Sequence, residues 1–238
     1  MKRLAGTIAL TIGAAVALSG CELGFGGSTR DVDHSYQVTG QVNRVKVASR
    51  GGDVEIVGAD VTAVEVRERL NYSTHRRPAT THALARGELS LGYTCPEAHG
   101  IGTSNCNVGY LVRVPRATAV ELRVHAGDIR LKDLRSSVSA LADLGDVTGT
   151  GLRGTPDGSV SATADAGDVR LTFASPPGSI VTRADSGATE IKVPRAGRYA
   201  VDAKSTYGHR TVGTSGDPTA KITINARSDS GDISVVPY

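Results

Sequence analysis

A glycine follows an apolar, strand-forming position by seven residues at seven places in this chain, and that regularity limits the possible folds more than any other feature. The apolar positions are Val45, Val120, Val138, Val160, Ile180, Val201 and Ile224, and the glycines are Gly52, Gly127, Gly145, Gly167, Gly187, Gly208 and Gly231. Aspartate comes next in five copies, as Asp53, Asp128, Asp146, Asp168 and Asp232, while Ala188 and His209 take its place in the others. From the second copy onward the spacing is 18, 22, 20, 21 and 23 residues. A period near 20 marks a solenoid, in which no copy buries its apolar face alone and the stack is the stable unit.

Alternation within each copy assigns the faces. Two residues after the first apolar position stand Val47, Leu122, Ala140, Ala162, Thr182, Ala203 and Ala226; four after stand Ser49, Val124, Ala142, Ala164, Ala184, Ser205 and Ser228. Past the glycine, Val54 and Ile56, Ile129 and Leu131, Val169 and Leu171, and Ile233 and Val235 keep the period of two that a half-buried strand requires. Each copy therefore supplies two strand segments joined at a glycine corner, with Val and Ile inside and Arg, Asp, Thr and Ser outside. Composition agrees: among 238 residues there are no Trp, 2 Phe and 1 Met, so the core is thin and built from small and β-branched side chains. The fold expected is all-β, a single-domain parallel β-solenoid (β-helix) with turns of about 20 residues.

The first two copies start 75 residues apart, which predicts an insertion at about residues 73–110. Strand candidates within this long interval are Ala63 to Tyr72, Glu88 to Tyr93 and Tyr110 to Val114, and the reading is a degenerate turn plus a hairpin-like addition. It serves either as a cap on the stack or as a binding site, since long segments off a rigid scaffold often carry function. Arg67, Arg69, Arg76, Arg77 and Arg86 concentrate positive charge there and form a candidate surface for anionic wall polymers or lipid head groups. At the other end, Pro237 is expected to block further strand addition.

The amino terminus sets the compartment. Lys2 and Arg3 precede an apolar run from Leu4 to Leu18, too short to span a bilayer at roughly 20 residues and laid out as a secretory signal. Leu18-Ser19-Gly20-Cys21 then resembles the lipobox of bacterial lipoproteins. That resemblance implies removal of residues 1–20 and lipidation of Cys21, with more than one acyl chain for stable anchoring. Residues 21–35 are expected to be the lipidated cysteine and a Gly-rich tether, and residues 36–238 the solenoid domain. Losing Lys2 and Arg3 lowers the formal net charge from +3 to about +1, which argues against a nucleic-acid partner. Of 3 cysteines, Cys95 and Cys106 remain beside Cys21. In an exported chain that even remainder predicts one disulfide within the insertion.

The Gly-Asp-Val/Ile phrase behind such a signal, in a Thr/Ser/Ala/Gly-rich β-chain, is similar to the bacterial putative-adhesin family of cell-envelope β-solenoids. The resemblance covers residues 40 to 236 and implies a surface-exposed, non-catalytic protein. The insertion and the altered corners at Ala188 and His209 depart from a uniform repeat.

No other chemistry stands out. The corner aspartates have three readings: bonding of backbone N–H groups at tight turns, cation binding, or acid/base work on a sugar by a pair such as Asp146 and Asp168. The first is favoured. Gly149-Thr150-Gly151-Leu152-Arg153-Gly154 has dinucleotide spacing but runs into Thr155-Pro156-Asp157-Gly158 rather than a helix, so no nucleotide is expected. His34, His75, His82, His99, His125 and His209 are scattered, and neither metal nor cofactor is expected. The function read from the sequence is a lipid-anchored module on the extracytoplasmic face of the cell membrane, adhesin-like or structural, that binds a wall polymer or envelope protein. The alternative is a β-helix enzyme acting on envelope polysaccharide through the corner aspartates.

Overall fold

The computed structural model describes residues 29–97, 105–214 and 216–238. The expected signal, Cys21 and most of the tether lie outside the described residues. Nineteen strands form two facing sheets, and the described residues contain no helix.

All seven copies pair in frame. The strands before the corners are β2 (Arg44–Ser49), β8 (Ala119–Ala126), β10 (Val138–Leu144), β12 (Ser159–Ala166) and β14 (Ser179–Ser186). They stack in parallel in that order, with Val45, Val120, Val138, Val160 and Ile180 in one row. Their continuations past the corners, β3 (Val54–Ala59), β9 (Ile129–Lys132), β11 (Val147–Arg153), β13 (Val169–Ser175) and β15 (Thr189–Val193), stack likewise in the second sheet. Each layer is thus one strand in each sheet, two per turn. Between the sheets, Ala140, Ala142, Ala162, Ala164 and Ala184 from one side meet Leu131, Leu152, Leu171, Phe173 and Ile191 from the other, all buried. Small residues near the corner let the two sheets close over larger ones, at the roughly 10 Å typical of face-to-face packing.

The last two copies are reversed in space. The strands β16 (Tyr199–Tyr207) and β17 (Arg210–Val212) sit at the end of the stack, and β18 (Ile222–Ser230) and β19 (Ile233–Pro237) fill the layer beneath them. Ile180 therefore pairs with Ile224, and Ile224 with Val201. Pro237 consequently does not block the end of the stack. It lies in β19 opposite Val193, one layer in.

The segment read as a hairpin-like insertion supplies a further layer. Here β6 (Glu88–Thr94) pairs in parallel with β2, Leu89 beside Val45, and β7 (Cys106–Pro115) pairs in parallel with β3, Tyr110 beside Val54. The disulfide Cys95–Cys106, with Cα atoms 6.1 Å apart, closes the connection where the other layers have a glycine corner. Antiparallel strands then finish this end: β4 (Val64–Ser73) on β7, β5 (Ala79–Ala85) on β6, and β1 (Thr29–Val38) on β4. Because β1 begins at Thr29, residues 29–35 belong to the sheet and not to the tether.

Candidate functional site

The corner column was the strongest chemical signal in the sequence, and its geometry is now explicit. Gly145 has φ +141° and Gly187 φ +155°, conformations that a side chain disfavours. A Cβ at Gly145 would lie 2.2 Å from the carbonyl oxygen of Gly127, and one at Gly187 would lie 2.0 Å from that of Gly167. Backbones of successive layers therefore touch at the corner, and glycine alone fits.

The aspartates use that closeness. Oδ1 of Asp53 accepts the backbone N–H of Asp128 at 3.0 Å, Asp128 that of Asp146 at 3.0 Å, Asp146 that of Asp168 at 2.8 Å, and Asp168 that of Ala188 at 2.7 Å. Asp232 accepts the N–H of His209 at 2.8 Å in the last layer. The second oxygens are bridged by arginines two residues further along the neighbouring strand. Arg130 donates to Asp53 at 2.7 Å and to Asp128 at 2.6 Å, and Arg170 donates to Asp146 at 2.9 Å and also to Asp168. The N–H of Asp168 holds the Asp146 carboxyl below the usual carboxylate range, partial burial opposes this, and Arg170 adds to the lowering. For Asp53 burial works the other way, but Arg130 and the N–H of Asp128 outweigh it and the net shift is downward. A general acid needs a raised carboxyl, as in the acid of a glycosidase pair. Asp146 has the opposite environment, and both oxygens of Asp146 and of Asp168 are engaged.

A second cluster, not found from the sequence, lies at the disulfide end. Glu68 of β4 is fully buried, and its Oε1 accepts the hydroxyl of Tyr36 at 2.9 Å. Its Oε2 has no hydrogen-bond partner among the described residues, and His34 Nδ1 lies 3.5 Å away. The buried hydroxyl of Tyr110, across the β4–β7 pairing from Glu68, is likewise without a partner among them. Burial, and after it the neighbouring Glu68, pushes the hydroxyls of Tyr36 and Tyr110 far above their ordinary range. The signal was present: Val64, Val66, Leu70 and Tyr72 alternate, and Glu68 falls in phase with them.

The family model described as Toastrack DUF4097 matches residues 112–236, more than half of the chain. The chain belongs to the toastrack family. No curated protein matches it. The putative cell adhesion protein of Clostridium sporogenes ATCC 15579 has a similar fold, with TM-score 0.51 and 13% identity over 88% of this chain and 100% of that one. The putative adhesin of Bacteroides fragilis NCTC 9343 gives 0.53 and 11% over 88% and 99%. At such identities the likeness concerns the fold.

Within the toastrack stack the five arginines of the candidate surface are not gathered in one place. Arg67 and Arg69 share the outer face of β4, where both lie near Asp33. Arg76 follows β4 and donates to the carbonyl of Pro96 at 2.7 Å, with Arg77 beside it, and Arg86 occupies the β5–β6 turn. Beside Arg67, an open depression of about 400 Å³ is bounded by Ser35, Gln37, Glu65, Leu111 and Arg113. The Gly149–Gly154 phrase runs along β11 and its exit, with Leu152 buried in the core. The described residues hold no group of three or more His, Cys, Asp or Glu able to bind a metal ion.

Proposed function

We propose that this toastrack protein is a non-catalytic, adhesin-like or structural interaction module, exported and held at the extracytoplasmic face of the cell membrane by lipid on Cys21. One observation carries the non-catalytic reading: the corner carboxylates, the best candidates for chemistry in the sequence, have their oxygens committed to the neighbouring layer's backbone and to Arg130 and Arg170. Ten strands in one sheet, at about 4.8 Å each, make a rigid body on the order of 40 Å long. Its outer faces are polar and present Arg67, Arg69 and the depression beside them at the end where the chain leaves toward the proposed anchor. An adhesin-like role extends to this chain what the Clostridium sporogenes and Bacteroides fragilis proteins are named for, and a wall polymer or an envelope protein is the proposed partner.

In-cell crosslinking of the anchored full chain, followed by mass spectrometry, tests this reading. The comparison variant is Arg67→Glu with Arg69→Glu. Deleting residues 73–110 would remove the β6–β7 layer from the core and is unsuitable. Capture of one envelope component, lost in the variant, supports the module and its surface. Capture unchanged by the variant overturns the surface. Release of Cys21→Ala to the soluble fraction is expected, and its retention in the membrane would overturn the anchor.

A further inference from the structure

The two ends of the stack are finished differently. At the disulfide end the outermost strands β1 and β5 run antiparallel to their neighbours, whereas at the other end the nine-residue strand β16 continues the parallel stack and is paired on one side only, with β18. The returning segment after β17 covers this edge at Tyr199, whose carbonyl accepts the N–H of Asp217 at 3.0 Å and which bridges to Gly216. Strand alternation then points the N–H and C=O groups of Val201, Ala203 and Ser205 away from β18, while the carbonyl of Asp202 faces it and accepts from Arg227. An open edge of this kind is a template for another strand.

The sequence around Ala203 is self-complementary. Laid antiparallel on itself about a two-fold axis at Ala203, β16 sets Val201 opposite Ser205 of the second copy and Ala203 opposite its own counterpart, both as hydrogen-bonded pairs. Asp202 then falls opposite Lys204 of the second copy, twice, in the non-hydrogen-bonded positions where side chains come closest. Within one chain Lys204 is poorly served: its neighbour across the pairing is Arg227, and it has no ion-pair partner among the described residues. Asp202 already contacts Arg227 on its inner side, so a second copy would set cations on both sides of its carboxylate. We propose that the protein forms an isologous dimer by antiparallel pairing of β16 with β16 of a second copy, centred on Ala203 and selected by the two Asp202–Lys204 contacts.

Sedimentation velocity of the full chain in a non-ionic detergent, over about 1 to 100 µM, reads the assembly directly. The parent chain is expected to shift from monomer to dimer across this range. Lys204→Glu sets carboxylates opposite one another and is expected to weaken association roughly tenfold or more. Exchanging the charges, Asp202→Lys with Lys204→Asp, is expected to recover it. Ala203→Pro removes an N–H that faces the open edge, as an edge strand tolerates, and is expected to give monomer. Far-UV circular dichroism and an unchanged melting temperature show that each variant is folded. A parent that stays monomeric throughout, or a dimer indifferent to Lys204→Glu and Ala203→Pro, would overturn the proposal.

Discussion

Asp146 and Asp168 are joined layer to layer: an oxygen of the first carboxylate accepts the backbone N–H of the second residue at 2.8 Å. The contact turns a column of like charges into a column of hydrogen bonds, with each carboxylate serving the next layer and Arg170 bridging the pair. Truncating Asp146 to alanine should cost about 1.5–3 kcal/mol, the worth of a hydrogen bond to a charged group. Asn at this position keeps an acceptor oxygen but loses the ionic contact with Arg170, so its cost should be smaller. Urea denaturation ranks the parent above Asn and Asn above Ala. Equal stability of all three would show that the ladder contributes nothing.

Acid should loosen the same column. The Asp53 and Asp146 carboxyls are depressed in the folded chain, so the unfolded chain takes up protons first as pH falls. Their stabilisation is complete above the unfolded carboxylate range, near 4, and disappears as pH drops through the lower folded values. The urea midpoint should therefore fall between pH 6 and pH 3, and by less in Asp146→Asn. A parent and variant with the same acid dependence would disprove the link to this residue.

Much of this column was legible in the sequence because a glycine corner is a local demand, visible without knowing which layers meet. Spatial order was not, since the copies starting at Val201 and Ile224 share the same inward Ala and Ser and either could sit on Ile180. One physical clue existed. Each corner carboxylate reaches for the next layer and a terminal layer has none to reach, which fits His209, but Ala188 lacks the carboxylate in mid-stack, so the clue does not single out the end by itself. The strands β6 and β7 are expected from the sequence, but not their pairing as a full layer, because a disulfide-closed connection replaces the glycine corner that marks the other copies. Glu68 does not stand out as a site in the sequence because a single acid in a polar-alternating strand reads as exposed charge, whereas the phase of β4 buries it.

Corner glycines should be far less replaceable than strand glycines. A Cβ at Gly145 would overlap the Gly127 carbonyl in a conformation already unfavourable for a side chain, so Gly145→Ala should cost several kcal/mol. Gly92 of β6 would bring its Cβ no nearer than 3.6 Å to its neighbours, and Gly92→Ala should be neutral or slightly stabilising. Thermal midpoints of the two variants decide it. Similar values would mean that the corner can open.

Opening the Cys95–Cys106 bond should act on one end of the stack. Replacing both cysteines by serine removes a covalent loop closure worth on the order of 3 kcal/mol, and the loss should concentrate where that layer has no Gly-Asp corner to hold it. Amide hydrogen exchange is expected to rise in β6, β7 and the antiparallel strands beyond them while β12 and β14 keep their protection. Uniformly faster exchange would contradict an end-localised role.

Glu68 offers the sharpest energetic test, because a buried carboxylate with one hydroxyl donor and an unpartnered oxygen is an unfavourable arrangement for stability. Glu68→Leu alone removes the charge but strands the Tyr36 hydroxyl, so its effect should be small or adverse. Combined with Tyr36→Phe, both polar ends disappear together. The double variant should then match or exceed the parent, by about 1–2 kcal/mol. Glu68→Ala should destabilise by leaving a cavity between β1 and β7. A double-mutant cycle in urea measures the coupling between the two sites. If the double variant is less stable than either single one, the buried pair stabilises this end of the stack and is not merely tolerated there.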